Sequence, residues 1–351
     1  MPSVARTRSP SARSPIYCGG GRHPLPGAAV VTPQTILDAL DASIGTLSSL
    51  GSVIAPAIAL AAIAVVVTAL GIRRARPLRI AVGALVVALA LGEVLLVWFH
   101  LRLWQLAEVI DPVTGVSAGT FAVPLWIESE KLYVWALILA VIALVARRKG
   151  DELRPLLGTA AAALAIGALV WGRPFADPLP DFLGGYRAYL AAWTSGDTGM
   201  AMGLAQGLAA SRQYYYNTWY MWAHPPLLFL SYGAFVASFF GSILMLVHRR
   251  SSYEQVAYRW ARLGYLPLTL GMVVGIPWAI IAWQGESWWW SGKVNMSIMM
   301  WLLYTAYLHA RLYLRRPGMW RVVAALAVLS FVALVLTYVT TYVIPGAHSV
   351  V

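Results

Sequence analysis

The sequence predicts an all-α integral membrane protein of about eight transmembrane helices with a tryptophan-rich outer loop. Of its 351 residues 60% are hydrophobic and only 11% charged, too apolar for a soluble chain of this size. Windows of roughly twenty apolar residues, each enough to cross a ~30 Å hydrocarbon core as helix, fall near 50–72, 80–104, 124–146, 155–172, 225–247, 263–283, 297–312 and 321–344. Basic residues also collect in every second loop between these windows, the charge alternation expected of a multi-pass membrane protein.

The chain begins with a segment, 1–48, rich in Arg, Ser, Pro and Gly and without an apolar core, which is expected to be a disordered tail. It lacks the 7–15-residue apolar run of a signal peptide. The one cysteine, Cys18, lies in this tail, so no internal disulfide and no Cys-x-x-Cys-His motif can form. Residues 49–351 form the polytopic membrane domain.

Arg73, Arg74, Arg76 and Arg79 follow the first span, and Arg147, Arg148, Lys149 and Arg154 the third. Arg249, Arg250, Arg259 and Arg262 follow the fifth, and Arg311, Arg315, Arg316 and Arg321 the seventh. The alternate loops are poor in cations, so the basic loops face the cytoplasm and the Trp loop, the 173–223 loop and the C-terminus face outward. The formal charge of +12 is thereby accounted for as orientation signal, and no nucleic-acid partner is implied. The partner it does imply is a lipid membrane.

In the second span His100 follows Glu93 by seven residues, on the same helical face. The two could be a ligand with its acid partner, a proton site, or a buried structural pair, and the structural pair is the preferred reading. At the outer mouth of the third span, Glu128 and Lys131 are spaced to neutralise each other. His224 opens the fifth span in His224-Pro-Pro-Leu-Leu-Phe-Leu-Ser-Tyr-Gly, where two prolines suit a first helical turn.

After the sixth span comes Trp283-Gln-Gly-Glu-Ser-Trp288-Trp289-Trp290, four indoles in eight residues. Such a cluster at a membrane surface is an interfacial anchor or a floor for a large planar ligand. His309 lies inside the seventh span, where an ionisable group is costly unless it pairs or ligates. His348 follows the eighth span, again outside. Two outer histidines beside an indole cluster are the parts that hold a porphyrin: imidazoles for the axial positions of iron, indoles for the ring.

The His224-Pro-Pro segment, the Trp loop, the following Trp301-Leu-Leu-Tyr-Thr-Ala-Tyr-Leu-His309 and the closing Gly-Ala-His348-Ser together resemble the haem-handling cytochrome c biogenesis proteins, the CcsA/ResC, CcmC and CcmF superfamily. The resemblance covers about 222–351 and is nearest to the CcsA/ResC branch. Weaker similarities lie in the segment around Glu128, Glu130 and Trp135 and in Arg173-Pro-Phe175.

The resemblance implies a multi-pass protein of the bacterial plasma membrane that binds haem b non-covalently and presents it on the outer face to the Cys-x-x-Cys-His segment of apocytochrome c. It implies His224 and His348 as axial ligands of the haem iron, and Trp283, Trp288, Trp289 and Trp290 as the haem platform. His309 would belong to a lower haem site whose other histidine comes from a CcsB/ResB-like membrane partner. The chain would be a subunit of a haem lyase with no nucleophile of its own.

The loop departs from the family's pattern: Ser291 stands where an aspartate is expected, and Val294 where a glutamate is expected. Lys293 is a candidate contact for a haem propionate. This loss of carboxylates motivates a second reading, a b-type haem subunit serving electron transfer or quinone chemistry; a third is a haem-free structural or assembly subunit whose indoles are an aromatic belt.

Overall fold

The structure, a computed structural model, describes residues 32–344 apart from 73–74, 111–112, 114–116, 121–122, 127–129, 147–151, 216–217 and 283–286. The chain is all-α in character. Its helices are α1 (Pro33–Val67), α2 (Ala75–Leu106), α3 (Glu130–Val145), α4 (Leu153–Gly167), α5 (Pro180–Thr194), α6 (Thr198–Tyr215), α7 (Tyr220–His248), α8 (Ser251–Ala282), α9 (Gly292–Ala310) and α10 (Met319–Val343). A two-stranded antiparallel hairpin, β1 (Glu108–Ile110) and β2 (Ser117–Thr120), follows α2.

Among the described residues six helices are long and apolar enough to cross a membrane. The windows expected at 124–146 and 297–312 correspond to α3 and α9, which fall below that mark. At 16 residues α3 spans roughly 24 Å, short of a full hydrocarbon core. Nineteen-residue α9 carries Lys293, Asn295 and Ser297 in its first turns, which lowers its hydropathy.

The first helix starts earlier than the 48/49 boundary expected from apolar runs. Thr32 caps it, with the Thr35 N–H donating to Thr32 Oγ1 at 3.3 Å and the Thr32 N–H donating to Thr35 Oγ1 at 3.0 Å, and Pro33 occupies the first turn. Residues 33–48 therefore belong to a helix of roughly 52 Å, too long for the hydrocarbon core alone. Its first turns bury Ile36, Leu40, Ser43 and Leu47 along one stripe, and Asp41 bonds Arg187 of α5 at 2.5 Å. The rest of the tail lies outside the described residues.

Two groups of helices make the bundle. In one, α1 packs on α2 and α4, and α3 packs on α2 and α4; in the other, α7 pairs with α8, α9 with α10, and α10 with α7. Contacts of α3 and α4 with α7 join them. Small residues permit the closest approach of α7 and α8: a Cβ on Gly241 would lie 3.1 Å from Ala257, and one on Gly271 2.9 Å from Leu228.

Phe175, from the Arg-Pro-Phe segment, fills the space that Gly51 of α1 and Gly92 of α2 leave open, and meets the Tyr133 ring edge-on at 5.8 Å. The hairpin, α5 and the start of α1 form a cap at one end of the bundle. There the Tyr186 hydroxyl donates to the carbonyls of Leu106 and Glu108, at 2.8 and 2.9 Å, and Tyr189 exchanges hydrogen bonds with Ile110.

Candidate functional site

The site is built at the end of the bundle where α7 begins, α8 ends and α9 begins. Helix α7 starts at Tyr220, a turn earlier than the two prolines suggested, so Pro225 and Pro226 lie inside it. A proline cannot donate to the carbonyl four residues back, which leaves the Met221 oxygen free. The indole Nε1–H of Trp126, from the segment before α3, donates to that oxygen, and Trp126 packs edge-on against Trp222 at 5.4 Å. The prolines thus cost little and hold this end of α7 against α3.

His224 lies in this braced turn, half-buried. Its Nδ1 is 2.6 Å from the carbonyl oxygen of Gly271 on α8. A carbonyl only accepts, so Nδ1 carries the proton and Nε2 keeps its lone pair. A ring fixed in this way is the usual arrangement of a metal-binding histidine. Gly275, one turn along α8, makes room for it: a Cβ there would lie 2.6 Å from His224 Cε1 and 2.7 Å from Nδ1. Trp278, one turn further along α8, faces the imidazole at a centroid distance of 6.0 Å.

The Trp loop closes as a single 3₁₀ turn, Trp288–Trp290, directly before α9. Trp288 is buried, Trp289 stacks on it at 3.6 Å and is 52% exposed, and Trp290 is 79% exposed. The turn therefore offers one anchored indole and two presented ones. Ser291 caps α9, its hydroxyl accepting from the Val294 N–H at 3.4 Å. Serine and aspartate cap about equally well, so the helix start survives the replacement of the expected acid. Lys293, half-buried in the first turn of α9, lies within electrostatic reach of the His224 ring. Trp283 and His348, expected in the same site, lie outside the described residues.

His309 is at the opposite end of α9, sixteen residues or roughly 24 Å from Lys293. Its Nδ1 lies 2.8 Å from the Thr305 carbonyl and the residue is exposed, so the proton again sits on Nδ1 and Nε2 keeps its lone pair. Two hydrogen bonds tie this part of α9 to α8. The Trp301 indole donates to Thr269 Oγ1 at 3.0 Å, and the Tyr265 hydroxyl meets Thr305 Oγ1 at 2.7 Å. Sequence patterning singled out none of Tyr265, Thr269 or Thr305, since their polar atoms find partners only once α8 and α9 pack.

His100 differs. It is buried, but it pairs with Glu130 of α3 rather than with Glu93: Nε2 is 2.7 Å from Glu130 Oε2, and Nδ1 bonds the Val123 carbonyl. Both ring nitrogens are engaged, which leaves no lone pair for a metal. The helical spacing of Glu93 and His100 was correct as a face, but Glu130 reaches the ring from a neighbouring helix. Glu93 Oε2 stays buried without a hydrogen bond. Lys131, expected to neutralise Glu128, lies 5.6 Å over the Tyr338 ring, and Glu128 is outside the described residues.

Comparison with known proteins identifies the family. Residues 125–348 match the family described as Cytochrome C assembly protein. The chain is 34% identical over 110 residues to the cytochrome c biogenesis protein CcsA of Gloeobacter violaceus, covering 31% of this chain and 32% of that protein. It is 32% identical over 134 residues to the cytochrome c-type biogenesis protein NrfE of Haemophilus influenzae, 36% of this chain and 21% of that protein. Against the cytochrome c-type biogenesis protein CcmF of Escherichia coli K12 it is 37% identical over 91 residues, 25% and 14%. The chain thus spans about a third or less of the length of the curated relatives it matches, and no solved structure matches it. With the family match running from the segment before α3 to beyond α10, this chain belongs to the cytochrome c assembly protein family, within the CcsA/CcmF biogenesis superfamily, and is a multi-pass membrane protein of cytochrome c biogenesis.

Proposed function

We propose that this protein binds haem b non-covalently at the Trp-turn end of the bundle and presents it, on the outer face of the membrane, for attachment to apocytochrome c. The observation that carries the reading is the His224–Gly271 bond, which leaves His224 Nε2 unprotonated near Trp278, at the end of the bundle where α9 begins directly after the Trp288–Trp290 turn. When bound, haem b supplies iron for axial ligation and two vinyl groups for thioether formation with the thiols of a Cys-x-x-Cys-His segment.

The chain's own work is positioning. His224 would offer one nitrogen to the haem iron, and His348, which follows α10 in sequence, would be the candidate for the other. Trp289 and Trp290 offer exposed indole faces on a turn anchored by buried Trp288, and Lys293 offers an ammonium for a propionate. A fixed, partly dry platform lowers the entropic cost of bringing two thiols to two vinyls, and no nucleophile is required of this chain. His309, exposed with Nε2 free, suits a second haem site completed by a histidine from a CcsB/ResB-like membrane partner.

The test is purification in detergent, with and without such a partner, followed by visible spectroscopy and cytochrome c maturation assays. The reading expects a low-spin haem spectrum that the chain purified without the partner loses in His224→Ala and in His348→Ala, together with lost maturation. Absence of haem from every preparation, with maturation intact, would favour the haem-free assembly role instead.

A further inference from the structure

At the end of the bundle opposite the Trp turn a cavity of about 310 Å³ opens between α7, α8, the 311–318 turn and α10, lined by Met245, Arg249, Arg250, Glu254, Leu314, Arg315 and Trp320. Three guanidiniums face it against one carboxylate. That carboxylate is already neutralised: Arg311 Nε bonds Glu254 Oε1 at 2.5 Å, and the same guanidinium lies 3.5 Å over the Tyr258 ring. Among the described residues none of Arg249, Arg250 and Arg315 forms an ion pair. The cavity therefore carries uncompensated positive charge at a helix end.

Arg249 is informative in a second way. It caps α7 in the left-handed conformation, φ 55° and ψ 34°, a position where glycine is the favoured residue and a side chain costs free energy. An arginine is nevertheless held there, and it lines the cavity. The remaining lining is apolar or aromatic, and apolar side chains on the adjoining surface, Val247 on α7 and Leu312 beside α9, are exposed. A soluble anion has no use for that surround, whereas a lipid does: phosphate in the basic cavity, acyl chains along the apolar helix faces, Trp320 at the level of the glycerol.

We infer that this cavity binds a phosphodiester anion, the headgroup of an anionic phospholipid such as phosphatidylglycerol, and so anchors the α7–α8 turn and the start of α10 at the membrane surface. The site lies at the opposite end of the bundle from the haem site proposed at the Trp turn and stands or falls independently of it. Its test is native mass spectrometry of the detergent-purified full chain titrated with dioleoyl phosphatidylglycerol, zwitterionic dioleoyl phosphatidylcholine, and water-soluble glycerol 3-phosphate.

The expected result is retention of phosphatidylglycerol at concentrations at least tenfold below those needed for phosphatidylcholine, with glycerol 3-phosphate failing to compete. Arg249→Gly combined with Arg315→Gln should weaken that binding about tenfold. Because glycine relieves the left-handed cap, this variant should fold at least as well as the parent. The charge-matched control Arg76→Gln with Arg79→Gln, on exposed residues at the start of α2, should leave binding within twofold. Equal weakening in both variants would reduce the site to general surface charge, and equal binding of glycerol 3-phosphate would make it a soluble-anion site; either result overturns the inference.

Discussion

His224 Nδ1 and the Gly271 carbonyl, forty-seven residues apart in sequence, meet at 2.6 Å across the α7–α8 interface, and this bond decides which imidazole nitrogen is free. Gly275 is what lets the ring sit there. Gly275→Ala should push the imidazole from its bond and lower haem affinity by roughly tenfold, the usual effect of losing an orienting partner. Haem titration of the purified variant checks this, and unchanged affinity would mean that the ring's placement is irrelevant to binding.

His309 makes a local bond of the same kind, to Thr305, but it is an exposed residue at the other end of α9. His309→Ala should therefore change haem content only when the companion membrane protein is co-purified. Haem content measured per mole of protein, with and without the companion, distinguishes this from a site built wholly within the chain.

His100 and Glu130 form a buried pair with no nitrogen to spare. Glu130→Ala or His100→Ala should destabilise the bundle by about 3–5 kcal/mol, because either leaves a polar partner buried alone. Haem bound per folded molecule should stay near the parent value. Thermal unfolding in detergent and a haem assay on the folded fraction measure the two effects separately.

Much of this was legible in the sequence, for definite reasons. A long apolar run outweighs any local preference, so the cores of α2, α4, α7, α8 and α10 coincide with their windows. The early start of α1 was missed because its first turns are amphipathic rather than uniformly apolar. The signal was nonetheless present, in the Thr32-Pro33 cap and the spacing of Ile36, Leu40, Ser43 and Leu47. His224 and His309 could be chosen by residue type and position, but their free nitrogens could not, since a backbone carbonyl decides each one. His100 was assigned to Glu93 because helical periodicity finds partners only on the same helix, and Glu130 comes from another.

Ser291 replaces an expected acid yet keeps the cap of α9. Ser291→Asp should leave stability within about 0.5 kcal/mol, while Ser291→Ala should lose about 1 kcal/mol by removing the acceptor for the Val294 N–H. Unfolding curves of the two variants in one detergent test this. If Ser291→Asp also raises cytochrome c maturation, the acid has a role beyond capping.

The central claim is that His224 Nε2 is an axial nitrogen for haem, and ligand replacement tests it most directly. His224→Gly, purified without the companion so that the His309 site stays incomplete, should lose the low-spin haem spectrum, and millimolar imidazole should restore it; with the companion co-expressed, imidazole should also restore cytochrome c maturation. A His224→Gly protein that keeps its haem spectrum without imidazole would contradict the account.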